Sequence, residues 1–357
     1  MNPYQHDNKA FAFLSLSASD GEGAGAGAAF LSIHPSSCMT ELEPERFQFT
    51  SADGLSISCL KWCGQHPVRG VVQIAHGLGE HIGRYAELAQ ILVRHDFVVY
   101  GNDHRGHGLT AKPTGSFGDF RGSGFDQLIE DMVALRVIAK REHPGKPYIL
   151  VGHSMGSFAA QQFVLEHSHS IDGLALSGSG VLDGLARLAQ SLPSGSDPMK
   201  LMNAAFEPVR TPFDWLSRDT TEVDKFIADP LCFPSLKAGS MESFLDTFPR
   251  LANPKELRNV RADLPIYIFS GSDDPVGQRL EGVRALMERY RSAGIAQIAH
   301  EFYPGGRHEM FHELNRDDVF TDLLAWLSDV LQKSAPPSPL HQGRGPGEGS
   351  LFAFPAL

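Results

Sequence analysis

An α/β architecture, a mostly parallel sheet with helices on both faces, is what the 357-residue sequence predicts. Three observations carry that prediction. Apolar runs of strand length alternate with segments of helical periodicity. One of the strands runs directly into a glycine-flanked serine and then a helix. The alternation also stops near residue 180 and resumes near residue 266, which leaves room for about 70–80 inserted residues, long enough to act as a lid.

The elements follow in order. Residues 47–50 and 55–62 read as two strands across Ala52-Asp-Gly54, a hairpin signal. Residues 71–74 and 97–100 are apolar strands, and between them Tyr85, Leu88 and Leu92 recur at helical spacing. The next helix carries Leu128, Met132, Leu135 and Ile138 on one face. A buried strand at 148–151, a helix at 155–167 and a strand at 171–176 come next. Residues 181–260 show no strand. They hold short helical pieces such as 221–227, and apolar residues that include Phe213, Trp215, Leu216 and Phe226. The alternation resumes with a strand at 266–269, a helix through Val283 and Tyr290 closed by Gly294, and a strand at 298–302. A last helix carries Val319, Leu323, Leu327 and Val330 on one stripe.

Composition narrows the function. Acidic residues number 42 against 31 basic ones, a formal charge of −11. No basic stripe exists, so no nucleic-acid partner is expected. Hydrophobic residues make up 42%, enough for a sizeable core. No apolar run approaches the roughly 20 residues of a bilayer span. The four cysteines lack the spacing of a disulfide framework or a zinc ribbon, and read as reduced thiols of a cytoplasmic protein.

The ends differ from the middle. Residues 1–44 read as a disordered extension. Gly21-Glu-Gly-Ala-Gly-Ala-Gly27 is low-complexity, and the apolar run at 10–19 lacks the positive flank of a secretory signal, with Asp7 beside Lys9. Residues 334–357, rich in proline and glycine, read as a disordered tail. The working domain is therefore placed at 45–333.

Gly152-His-Ser-Met-Gly156 matches G-x-S-x-G between a strand and a helix. So tight a turn needs small residues at both glycine positions and holds the serine in a strained conformation that lifts its hydroxyl above the sheet edge. A hydroxyl is a weak nucleophile without a base, and the base needs an orienting carboxylate. The chain order for this turn is Ser, then Asp or Glu, then His. The strand at 266–269 runs into Asp273 and Asp274, and the strand at 298–302 runs into His308. Both lie past the carboxyl ends of strands, where parallel sheets place their sites. Asp273 and Asp274 compete for the acid role; Pro275, which fixes the backbone after Asp274, favours Asp274. The backbone N–H of Met155 and one from the loop Ala75-His-Gly-Leu-Gly-Glu-His81, at Leu78, would bind the developing oxyanion.

His76-Gly-Leu-Gly-Glu-His-Ile-Gly-Arg-Tyr85, Asp103-His-Arg-Gly-His-Gly108, Gly152-His-Ser-Met-Gly156, Gly271-Ser-Asp-Asp274 and His308 together resemble the monoglyceride lipase and lysophospholipase group of α/β-hydrolases. The likeness spans about residues 45–332. It implies an α/β-hydrolase fold with an eight-stranded sheet, a helical cap at about 180–250 and a Ser154–Asp274–His308 triad. It supports Leu78 and Met155 as oxyanion donors and places the acid on Asp274, the fourth residue of the G-x-x-D turn. Thr211-Pro-Phe-Asp-Trp-Leu-Ser-Arg218 resembles bacterial lysophospholipase-like proteins.

Three other readings compete. His308-Glu-Met-Phe-His312 matches H-E-x-x-H, the pattern of a zinc hydrolase. It follows a Gly-Gly turn instead of opening a capped helix, and it lacks a third ligand downstream. His104-x-x-His107 reads as loop structure, not a metal pair. A non-catalytic binding scaffold is the second alternative, and a peptidase or amidase on the same scaffold is the third. The expectation is a cytoplasmic serine hydrolase that needs neither metal nor cofactor and acts on a small-molecule acyl ester. Phe213, Trp215, Leu216, Phe226 and Phe233 would shape an acyl pocket. Through the cap the enzyme could make transient contact with a membrane or micelle surface.

Overall fold

The computed structural model describes residues 42–181, 183, 198–233 and 235–334. The N-terminal extension (but for its last three residues), the tail beyond Ser334 and much of the first part of the insertion lie outside the described residues.

Eight strands form one sheet: β1 (Glu45–Thr50), β2 (Ser56–Trp62), β3 (Gly70–Ala75), β4 (Phe97–Asn102), β5 (Tyr148–His153), β6 (Gly173–Ser177), β7 (Ile266–Gly271) and β8 (Ile298–Tyr303). Their spatial order is β1-β2-β4-β3-β5-β6-β7-β8. The β1–β2 and β2–β4 pairs are antiparallel, and all pairs from β4 to β8 are parallel. The flanking helices are α1 (Ala86–Arg94), α2 (Phe125–Glu142), α3 (Met155–His167), α4 (Glu281–Ser292) and α5 (Arg316–Ser334).

The alternation of strand side chains sorts the core into two layers. Val71, Val98, Tyr148, Leu150, Leu174 and Ile266 face α2, α3 and α4. Val72, Val99, Ile149, Val151, Ala175 and Tyr267 face α1 and α5. The inner strands β3, β4, β5, β6 and β7 are buried along their whole length, which is why they read as apolar runs without alternation. Gly294 ends α4 with a φ of +97°, a helix-terminating conformation that glycine adopts without strain.

The structure shifts several boundaries. β4, β5 and β7 each run two residues further than their apolar cores, into Asn102, His153 and Gly271. These small or polar residues close the ladder where the strands meet the site. β6 begins at Gly173, because Asp172 turns its carboxylate onto the Tyr148 N–H at 2.7 Å. Tyr85 sits in the 3-10 turn Ile82–Tyr85 ahead of α1.

Between β6 and β7 the described residues hold no strand. Helices at Pro198–Asn203, Thr220–Ala228, Ala238–Leu245 and Phe248–Ala252 occupy this segment. No helix among the described residues is long and apolar enough to cross a membrane.

Candidate active site

The carboxyl ends of β3, β5, β7 and β8 deliver the site. Ser154 stands alone between β5 and α3 with φ +50° and ψ −121°, a strained backbone for a residue with a Cβ. The two flanking glycines explain how the turn fits. A Cβ on Gly156 would collide with the carbonyl oxygens of Ala75 and His76, and one on Gly152 would collide with the backbone of Gly156. The turn leaves Ser154 at the N-terminus of α3, the positive end of its dipole.

His308 follows β8 through Gly305 and Gly306. Its Nε2 lies 2.9 Å from Ser154 Oγ, and its Nδ1 lies 2.9 Å from Asp274 Oδ1. His308 is 2% exposed and Asp274 is fully buried. Asp274 Oδ1 also accepts the Val276 N–H at 2.9 Å, which fixes the carboxylate. The neighbouring Asp273 donates its N–H to Gly306 O and does not meet the imidazole. The geometry is consistent with Ser154 donating to Nε2 and Nδ1–H donating to Asp274. His308 packs between His153 and Trp215, with ring centroids at 4.8 and 4.9 Å. Gly178 leaves the space for both imidazoles: a Cβ there would lie 2.8 Å from each ring.

Electrostatics set the protonation of these rings. Burial pulls the His308 pKa down. The Asp274 charge and hydrogen bond, with Glu309 and Glu80 behind them, outweigh burial and hold it above the usual 6.5. His153 is driven the other way, well below 6.5, by burial and by the charge of His308. If His308 acts as a base it must be neutral. The rate kcat/KM should then fall as pH drops through a midpoint above 6.5. A pH–rate profile whose acid limb centres below 6.5 would contradict this arrangement.

The loop after β3 is braced from behind by buried ions. Glu80 Oε1 accepts the Gly77 N–H at 2.6 Å and the Tyr85 hydroxyl at 2.7 Å. Arg84 bridges Glu80 and Glu309, with three contacts of 2.7 Å. Burial would raise the Glu309 pKa, but the charge and paired hydrogen bonds of Arg84 hold it far below the usual carboxylate range. His76, at the head of the loop, accepts the His104 N–H at 2.9 Å and packs against His104 and His107. Burial, together with the His107 charge, pushes His104 down to about 3, and burial alone pushes His107 down to about 4. In this neutral cluster the His76 ring lies tilted against His104 and edge-on to His107, packing the loops after β3 and β4 together.

The site opens into a cavity of about 500 Å³, within the size range of small-molecule pockets. Leu78 and Met155 line it beside Ser154. Phe213, Trp215, Leu216, Phe226 and Phe233 line it from the insertion. Its ionisable lining is Glu80, Glu309 and the two histidines.

The structure commits the residues of the H-E-x-x-H match to different partners. Residues 310–312 form one 3-10 turn. His308 faces Ser154 and Asp274, Glu309 is paired with Arg84, and His312 Nε2 donates to Arg84 O at 3.0 Å. The zinc reading therefore lacks a shared coordination point.

Sequence reasoning missed the role of the Glu80–Arg84–Glu309 bridge. Glu80 and Arg84 lay inside the His76–Tyr85 motif, but nothing local showed that a residue far along the chain, Glu309, would close the bridge. It also missed Gly178 and the contact of Trp215 with His308.

The sheet and its serine turn define an α/β-hydrolase. The chain belongs to the serine aminopeptidase S33 family, whose model matches residues 66–315. Within the α/β-hydrolases it falls in the monoglyceride lipase-like group. It is 29% identical over 292 residues to the monoacylglycerol lipase of Mycolicibacterium smegmatis, covering 78% of this chain and 95% of that protein. It is 29% identical over 276 residues to human monoglyceride lipase, covering 74% and 87%. A thermostable carboxyl esterase from Bacillus coagulans, solved with glycerol, superposes with a TM-score of 0.74 at 29% identity, over 81% of this chain and 99% of that one.

Proposed function

We propose that this carboxylic ester hydrolase cleaves monoacylglycerols, or similarly neutral acyl esters, through an acyl-enzyme on Ser154. The observation that carries the reading is the hydrogen-bonded Ser154–His308–Asp274 chain at the floor of an apolar cavity.

His308 takes the Ser154 proton as the hydroxyl attacks the acyl carbonyl. Asp274 orients the ring and stabilises its cation. The N–H groups of Leu78 and Met155 hold the oxyanion. His308 returns the proton to the leaving alcohol, and water then releases the acid with His308 as base. No step calls on a metal or cofactor. The insertion acts as a cap whose Phe213, Trp215, Leu216, Phe226 and Phe233 receive the acyl chain.

The polar end of the cavity favours a neutral alcohol. Glu80 and Glu309 stand there, and Arg84 is already bonded to both. An anionic phosphate would meet two carboxylates and no uncommitted cation among the lining residues. The same commitment argues against an aminopeptidase, which needs a carboxylate free to hold the substrate's ammonium group.

Competition in EDTA between a monoacylglycerol series, lysophosphatidylcholine, lysophosphatidic acid and an amino-acid arylamide tests the reading. Fluorophosphonate labelling, read by peptide mass spectrometry, accompanies it. Monoacylglycerol should have the highest kcat/KM, and the adduct should fall on Ser154. A preference for the arylamide or the lysolipids, loss of activity to EDTA, or an adduct elsewhere would overturn it.

A further inference from the structure

A second cluster of reactive side chains lies beside the site and takes no part in the reaction. A ring nitrogen of His81, a carboxylate oxygen of Asp229 and Cys232 Sγ come within 4.8 Å of one another. Among the described residues no other three histidine, cysteine or carboxylate side chains meet this closely. We propose that His81, Asp229 and Cys232 form a binding site for a divalent cation of the zinc type, which rivets the insertion to the loop after β3.

Two of the ligands come from one closed turn. The Cys232 N–H donates to Asp229 O at 3.0 Å, and the Leu231 N–H donates to Asp229 Oδ1 at 2.8 Å. Pro230 stiffens the turn between them. Asp229 Oδ2 is thereby left to face His81 Nε2 at 2.8 Å. The third ligand stands at the end of the loop that carries Leu78. All three side chains are half-buried, shielded yet reachable from solvent.

The donor set selects the ion. One imidazole nitrogen, one carboxylate oxygen and one sulfur suit zinc, cobalt or cadmium, and the thiolate disfavours magnesium and calcium. Zinc holds nitrogen and oxygen at about 2.0–2.2 Å and sulfur at about 2.3 Å, so its ligand atoms stand roughly 3–4 Å apart. The His81–Asp229 pair opens slightly and the Cys232 side chain rotates inward to reach that spacing. Water fills the fourth position.

The protons balance. The cation replaces the proton on His81 Nε2, which moves to Nδ1 at the expense of the 3.2 Å bond from the Gly83 N–H. The Cys232 thiol proton leaves to solvent, and Asp229 binds as the carboxylate.

Occupancy would act on the reaction through position. The Phe233 N–H already donates to Gly79 O at 2.9 Å, and Phe233 lines the cavity. A metal replaces the His81–Asp229 hydrogen bond with a stronger tie between the same two segments and adds Cys232 to it. Zinc should therefore slow turnover at micromolar concentration, reversibly with EDTA. This rests on the placement of the three side chains and holds whichever ester is the substrate.

Titration of the full chain with Cd2+ and Co2+, read by near-ultraviolet thiolate-to-metal absorption, tests the site. One equivalent should bind, and Zn2+ should raise Tm by several degrees. Cys232→Ser should abolish the band and the Tm shift, while Cys38→Ser and Cys63→Ser keep both. His81→Gln provides a second test and should weaken Cd2+ binding at least tenfold. A wild type with no band at one equivalent, a band that survives Cys232→Ser, or unchanged affinity in His81→Gln would overturn the site.

Discussion

Ser154→Ala should lower kcat for ester hydrolysis by about 10^4- to 10^6-fold, with KM nearly unchanged. The expectation follows from the geometry. Ser154 Oγ lies 2.9 Å from His308 Nε2, and Ser154 lines the cavity. Alanine keeps the turn and removes the hydroxyl proposed as the nucleophile. Residual turnover would come from binding and the proposed oxyanion donors alone. Ser154 is already strained at φ +50°, and alanine carries the same Cβ in the same conformation, so the fold should be untouched. Steady-state kinetics and a melting curve on the same preparation check both halves. A variant that keeps more than about one per cent of wild-type kcat would remove Ser154 from the mechanism.

Arg84→Met should destabilise the protein by about 3–5 kcal/mol, the second large effect. Arg84 is nearly fully buried, and its guanidinium answers two buried carboxylates, Glu80 at 2% and Glu309 at 4% exposure. Burial alone would lower the Arg84 pKa, but Glu309 and Glu80 drive it well above its usual value. Methionine fills most of the volume and leaves two carboxylates in low dielectric without a cation. The damage should reach the reaction, because Glu80 holds the Gly77 N–H and Glu309 adjoins His308. Replacing all three (Glu80→Gln, Arg84→Met, Glu309→Gln) should cost less than Arg84→Met alone, since no uncompensated charge remains. Urea denaturation of the two variants decides the matter. Equal midpoints for Arg84→Met and wild type would mean that the bridge adds nothing to stability.

Much of the fold was legible because the sheet is buried on both faces. Strands such as β5 and β7 have continuous apolar cores, and the helices between the strands keep a periodic stripe. The residues that meet at Ser154 were legible for a different reason. Strand-to-helix turns of this kind admit few sequences, and parallel sheets tend to carry reactive residues at strand ends. Asp274 and His308 could thus be named from the residues that follow β7 and β8. The insertion resisted reading because its helices are short and lack a long stripe. Its apolar residues are shared between packing and the cavity wall, and periodicity does not separate those uses.

The sequence by itself determined the alternation of strands and helices, the serine turn, and the short set of acids and bases able to serve it. These follow from local chemistry: backbone strain, side-chain period and the order of groups along the chain. Only the tertiary structure decided which groups meet. It closed Arg84 between Glu80 and Glu309, laid Trp215 over the imidazole, and brought Cys232 to His81. Each of these contacts joins segments far apart in the chain, or depends on which way a turn faces. Their partners are fixed by the packing of the whole sheet, and no local pattern records that packing.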